Sequence, residues 1–265
     1  MTVEAPAGIE VFDRVLCGVD ESPAALEAAR QASRLRSADG LLRLASVADL
    51  DIAVHAGFAM SHVLGELDAS AREALHQAID TAHPDSTHLM AGDPASTLLD
   101  AIERFDATLV AVGPHGHSRA VGIALGAVST SLLHEASCSV LLARRPRGGP
   151  FPASILVGVD GSEQSLAAAR VAQSVAERFG SELTIAVATG GKLVDLEPVW
   201  ELTPYFVRDP GRPVEALVGL AATFDLLVVG SRGLHGVAAL GRVSERVAHR
   251  APCSVLVIRQ PAPSI

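Results

Sequence analysis

The chain has 265 residues, of which 49% are apolar and 19% charged, and carries a formal charge of −9. That length and apolar content suit two packed domains and exclude a disordered chain. The negative charge excludes a nucleic-acid-binding face and speaks against an anionic membrane surface, since both need a basic patch.

Elements follow in chain order. Val15–Val19 is predicted as a buried strand, and Ser22 to about Ser37 as a helix with Ser22 as N-cap and Pro23 in its first turn. Leu41–Val47 reads as a second strand and Ser61 to about Ala82 as an amphipathic helix. A weak strand, Thr87–Ala91, precedes a helix over Pro94–Phe105, for which Asp93 is the candidate cap. Leu109–Val112 is a strand, Ser129–Glu135 a short helix, and Ser139–Leu142 a closing strand. This alternation, with continuous apolar strands, implies a parallel sheet covered on both faces.

The pattern then repeats. Val15-Leu-Cys-Gly-Val-Asp-Glu-Ser22 returns as Ile155-Leu-Val-Gly-Val-Asp-Gly-Ser162, at an offset of 140 residues. Leu109–Gly116 returns as Leu226–Gly233, and Ser137–Leu142 as Pro252–Val257, the last at an offset of 115. Two α/β domains are expected, 11–146 and 152–260, joined by 147–151. The proline, glycine and arginine of Arg144–Pro152 predict an exposed connector. In the second copy Leu183–Ala188 and Thr203–Val207 are predicted strands. The stretch between them, broken by Gly190, Gly191, Pro198 and Pro204, leaves no room for a full second helix.

The glycines sit where strands hand over to helices. Gly113 and Gly116 follow an apolar strand, and Gly126 opens a helix. Ligands bind beyond the carboxyl ends of parallel strands, where helix N-termini present free N–H groups, and glycine lets backbone approach phosphate oxygens. Asp20 ends the first strand on the same rim, as a candidate acceptor for nucleoside hydroxyls or amine. Tight turns and a cap for the next helix are the competing reading.

Both copies resemble the universal stress protein family. The resemblance rests on a strand ending in Val-Asp-Gly-Ser, a Gly-x-x-Gly, nine residues, a further Gly, and a closing Pro-Cys-x-Val-Leu-Val strand. It implies two Rossmann-like domains, each an open five-stranded parallel sheet with helices on both faces. It also implies pairing through the last strands, Ser139–Leu142 and Ser254–Ile258, within one chain; a homodimer is left open. Some members bind ATP and some do not.

Carried over residue by residue, the resemblance makes Asp20 the nucleoside contact and Val47 the backbone contact to adenine. Gly113, Gly116 and Gly126 become the phosphate-loop glycines, with His115 between the first two and Ala127, Val128 and Ser129 completing the motif. Ala127 stands where the family has Ser or Thr. One lost hydroxyl-to-phosphate hydrogen bond costs roughly 1.5–3 kcal/mol, or roughly ten- to 150-fold in affinity. Ser129, one turn on, is the candidate substitute, and Pro114 lacks an N–H.

The second copy keeps Asp160 and Gly230-Ser-Arg-Gly233. It loses two residues before Gly241, up to roughly 7 Å of reach, and places Arg242 where the hydroxyl belongs. Ala188 holds the adenine position. A remodelled or empty second site is expected.

Other constellations carry less. His115 and His117 are two potential ligands without a third, so no metal site is expected. His134 and His249 are repeat-equivalent and read as structural. Ser22 and Ser162 lie outside any Gly-x-Ser-x-Gly elbow, and no general base has an assignable partner. Cys17, Cys138 and Cys253 lack Cys-x-x-Cys spacing and read as buried hydrophobes of a reduced compartment. No apolar run spans a bilayer, and residues 1–13 lack a secretory pattern, so a cytoplasmic protein is expected.

The functional expectation is a stress sensor, not an enzyme, that binds ATP, or AMP, in its first copy with Mg²⁺, with weak ATPase activity left open. The alternative is an interaction module without nucleotide.

Overall fold

The computed structural model describes residues 12–49, 60–116, 125–188, 190, 195, 197–231 and 241–259, with backbone alone at 60–64. The first half runs β1 (Arg14–Gly18), α1 (Pro23–Leu35), β2 (Leu41–Asp49), α2 (Met60–Ala82), β3 (Ser86–Gly92), α3 (Pro94–Phe105), β4 (Leu109–Val112), α4 (Ala127–Glu135) and β5 (Ser139–Leu142). The second runs β6 (Ser154–Gly158), α5 (Glu163–Phe179), β7 (Glu182–Val187), β8 (Phe206–Arg208), α6 (Pro213–Ala221), β9 (Leu226–Gly230), α7 (Arg242–Arg250) and β10 (Ser254–Ile258).

Helix starts follow their capping residues. Ser22 Oγ accepts the Ala25 N–H at 3.1 Å, Asp93 Oδ2 the Ser96 N–H at 2.9 Å, and Ser162 Oγ the Ser165 N–H at 3.3 Å. Each satisfies a donor that has no partner inside its helix. Pro23 and Pro94 then enter the first turn without losing a hydrogen bond.

The strands form one α/β sheet of order β3-β2-β1-β4-β5-β10-β9-β6-β7-β8. Every pairing is parallel except β5 with β10, which is antiparallel, with Val140 opposite Val257 and Leu142 opposite Val255. Side chains alternate between the faces: Val15 and Cys17 join the core under α1, α2 and α5, while Leu16 joins the core under α3, α4, α6 and α7. Both cores run through both halves, so the seam is as apolar as the interior of either half. Full burial of each such Leu or Val is worth about 1.5–3 kcal/mol.

A reciprocal pair of arginines crosses the seam. Arg144 follows β5 and Arg259 follows β10. The Arg144 N–H donates to Ser254 Oγ at 3.0 Å, and the Arg259 N–H to Ser139 Oγ at 3.2 Å. The Arg144 guanidinium donates to the Cys253 and Ala248 carbonyls at 3.2 and 2.7 Å, closing the end of α7. Arg259 reaches the Leu133 carbonyl in α4 through Nη2, but its Nε and Nη1 are buried without a partner among the described residues. Burial lowers the pKa of both guanidinium groups.

These two equivalent residues are expected to respond differently to replacement by methionine. Arg144→Met strands two carbonyls and is expected to cost about 2–3 kcal/mol. Arg259→Met removes two orphaned buried donors and is expected to fall within about 1 kcal/mol of wild type, or above it. Denaturant midpoints check this, and equal losses would refute the asymmetry.

Two expectations are corrected in detail. The connector is exposed at Arg145 and over 147–150, but Phe151 is buried and Arg144 is held by the seam. The strand predicted over Thr203–Val207 begins at Phe206 instead. Thr203 Oγ1 donates to the Leu183 carbonyl at 2.8 Å and accepts the Tyr205 N–H at 3.2 Å, which makes a turn of the preceding residues. Between β7 and β8 the described residues form a 3₁₀ turn, Glu197–Val199, in place of a helix like α2. Among the described residues no helix is long and apolar enough to cross a membrane.

Candidate functional site

The order of the first five strands reverses between β1 and β4: the chain runs outward through β2 and β3, then returns to add β4 and β5 on the other side. Such a switch point leaves a crevice at the strands' carboxyl ends. A cavity of about 390 Å³ opens there, and all nine positions singled out in the first copy line it.

Its polar end is built by three chain turns. Asp20, half-buried, leaves β1 and accepts the Ser22 N–H on Oδ1 at 3.0 Å. Gly116 passes directly over its other oxygen: a Cβ there would stand 2.5 Å from Asp20 Oδ2. Gly113 leaves β4 against the first turn of α1, where an added Cβ would stand 2.8 Å from Ala24 Cβ. His115 lies between these glycines on the cavity wall.

Gly126 donates its N–H to the Pro114 carbonyl at 2.8 Å, which closes the loop onto α4. It also occupies the cap position, so α4 begins without a side-chain cap, unlike α1, α3 and α5. The N–H groups of Ala127, Val128 and Ser129 therefore take no acceptor among the described residues. Three converging donors at the positive end of a helix favour an anion.

Ser129 does not stand in for the hydroxyl missing at Ala127. Its Oγ donates to the Gly113 carbonyl at 2.8 Å, with the Pro114 carbonyl at 3.3 Å. A hydroxyl has one proton, and this one ties the loop to α4. Ser244 does the same in the second half, donating to the Gly230 carbonyl at 2.7 Å.

Away from the glycine turns the wall is mostly apolar. Half-buried Val47 on β2 lines the cavity with Leu67, Ala71 and Ala74 on α2 and Leu98 of α3, and Ser46, Asp49 and Ser70 add polar groups. Sequence reasoning missed this helical wall. Its only signal is the spacing 67, 71, 74, which places three apolar residues on one helical face and reads as ordinary core.

The second half keeps the turn and changes its surroundings. Asp160 is exposed, and its Oδ1 accepts both the Ser162 N–H at 3.1 Å and the Ser162 hydroxyl at 2.6 Å. Partial burial raises its pKa, but the donors from Ser162 and Ser165 outweigh that and hold it below the usual carboxylate value. Ala188 is buried past the end of β7, and the exposed Arg242 opens α7 beside the cap residue Gly241. Gly230 abuts α5; Gly233 lies outside the described residues, as does His117 of the two-histidine motif.

A depressed folded pKa contributes stability above the unfolded value, near about 3.9, and loses it as pH falls through the folded value. Asp160→Asn is therefore expected to lower the thermal midpoint at pH 7 and to converge with wild type in acid. A constant gap at all pH values would refute this role.

The sequence model of the universal stress protein family matches residues 12–144 and 201–259. The chain belongs to the universal stress protein family. A universal stress protein of Mycobacterium tuberculosis is 30% identical over 93% of this chain and 96% of its own length. One from Mycolicibacterium smegmatis is 31% identical over 92% and 96%. The crystal structure of a universal stress protein from Archaeoglobus fulgidus superposes with a TM-score of 0.73, at 25% identity, over 95% of this chain and 97% of that one. The family match includes every first-half site residue, whereas in the second half it begins only at residue 201, after Asp160 and Ala188.

Among the described residues, no group of three or more His, Cys, Asp or Glu side chains is arranged to hold a metal ion. Burial pushes the Cys138 and Cys253 thiols up to about 12 and about 11, which keeps both protonated at neutral pH.

Proposed function

We propose that this universal stress protein binds an adenine nucleotide, ATP in the first instance, in its first half and acts as a binding protein in stress response. The observation that carries the reading is the two-ended cavity: apolar side chains of β2 and α2 at one end, uncapped α4 N–H groups at the other. In this pose the base lies against Val47, Asp20 Oδ2 accepts from the ribose hydroxyls, and the phosphates meet Gly113, Gly116 and the α4 N-terminus. Because Ala127 brings no hydroxyl and the Ser129 hydroxyl is engaged, the phosphates are held by backbone N–H groups. Among the described residues no side-chain group is arranged to hold a metal ion, so Mg²⁺ would enter on the phosphates.

We infer further that 11–146 and 152–260 are two domains joined by 147–151, and that only the first carries a nucleotide. Among the described residues, the second half has no helix like α2 to form the base wall. Mass spectrometry of small molecules released from the purified, denatured protein tests the reading. An adenine nucleotide is expected. If none is released and none binds at millimolar concentration, the interaction-module reading takes its place.

A further inference from the structure

We propose that a second cavity, between α1 and the connector, binds a small molecule bearing a di- or triphosphate. It has a volume of about 390 Å³ and is separate from the nucleotide cavity. Arg30 and Arg34, one turn apart on α1, face it together with Arg145 of the connector. Three guanidinium groups meet a single carboxylate, Glu27, in a chain whose formal charge is −9.

That carboxylate is already engaged. Glu27 is buried, its Oε2 accepting from Arg30 Nη1 at 2.6 Å and its Oε1 from Gln31 Nε2 at 2.8 Å. It fixes Arg30 in place while leaving that group's other nitrogens uncommitted among the described residues. Arg34 donates Nε to the Phe151 carbonyl at 3.1 Å and lies over the Phe179 ring, 4.8 Å from its centroid. Its two terminal nitrogens likewise carry no bond among the described residues. Arg145 is exposed and makes no hydrogen bond or ion pair among them.

The connector adds backbone donors. Gly148 and Gly149 line the same cavity, and neither N–H has an acceptor among the described residues. Both have positive φ, 151° and 81°. Guanidinium forks match phosphate oxygens two at a time, and an excess of two positive charges suits a polyanion better than a monoanion. The ligand would join α1 of the first half to the segment leading into the second.

Isothermal titration of the full chain with inorganic pyrophosphate tests this, with Gly116→Ala as a background that alters the glycine loop of the nucleotide cavity. Pyrophosphate is expected to bind wild type and Gly116→Ala alike. Adding Arg145→Ala is expected to weaken it about tenfold or more, as loss of a charged hydrogen-bonding partner does. Because Arg145 holds nothing among the described residues, that variant is expected to keep its thermal midpoint. Binding that survives Arg145→Ala but fails in Gly116→Ala would place pyrophosphate in the glycine-loop cavity and overturn the proposal. So would no binding at millimolar pyrophosphate. Citrate binding as tightly would overturn the assignment to phosphate.

Discussion

Gly230→Ala is expected to destabilise the protein by about 3 kcal/mol or more, because its new methyl group would meet backbone rather than a movable side chain. An added Cβ would stand 2.3 Å from the Gln164 carbonyl oxygen and 2.5 Å from its carbon, so β9 and α5 must separate. At about 2–4 °C per kcal/mol for a chain of this size, the thermal midpoint should fall by roughly 6–12 °C. Gly113, its repeat counterpart, meets Ala24 Cβ at 2.8 Å, and Gly113→Ala should destabilise less. Gly219→Ala is the control. Among the described residues nothing lies within 4 Å of that position on α6, so alanine there should raise stability by about 0.5–1 kcal/mol. A Gly230→Ala midpoint equal to wild type would contradict the close approach of β9 and α5.

Gly116→Ala should separate binding from stability. Among the described residues its Cβ meets only the end of a side chain, Asp20 Oδ2 at 2.5 Å, and a carboxylate can swing aside. The fold is therefore expected to tolerate the change, with a thermal midpoint close to wild type. ATP affinity is expected to fall about tenfold or more, since the displaced oxygen is the one assigned to the ribose. Calorimetry and thermal unfolding on one preparation measure both. Unchanged affinity would mean that the Asp20 carboxylate does not contact the ligand.

Much of this architecture is legible in the residues. The three capped helices begin beside Ser22, Asp93 and Ser162, because a side-chain oxygen before an apolar periodic run has one local use. The strands from Leu109, Ser139 and Ser254 keep their expected bounds because both faces of each are buried. What escapes sequence reasoning depends on partners remote in the chain. Arg144 sits in a stretch whose composition reads as exposed, and its acceptors lie over a hundred residues away in α7 and the turn after it. The α2 wall looks like core because a ligand-facing and a core-facing apolar stripe have the same period. Ser129 looks available until its partner, the Gly113 carbonyl, is seen.

The repeat makes the scaffold twice, and the proposed nucleotide site belongs to its first copy. The donors at the start of α4 and α7 are alike, each opening at an uncapped glycine. The carboxylates differ. Asp20 gives one oxygen to a backbone N–H, whereas Asp160 also binds its neighbour's hydroxyl.

Calorimetric titration of ATP into wild type, Asp20→Ala and Asp160→Ala therefore tests the central claim most directly. The expected result is ATP binding that is weakened about tenfold or more by Asp20→Ala and unaffected by Asp160→Ala. An Asp20→Ala isotherm matching wild type, or a loss of affinity in Asp160→Ala, would contradict it.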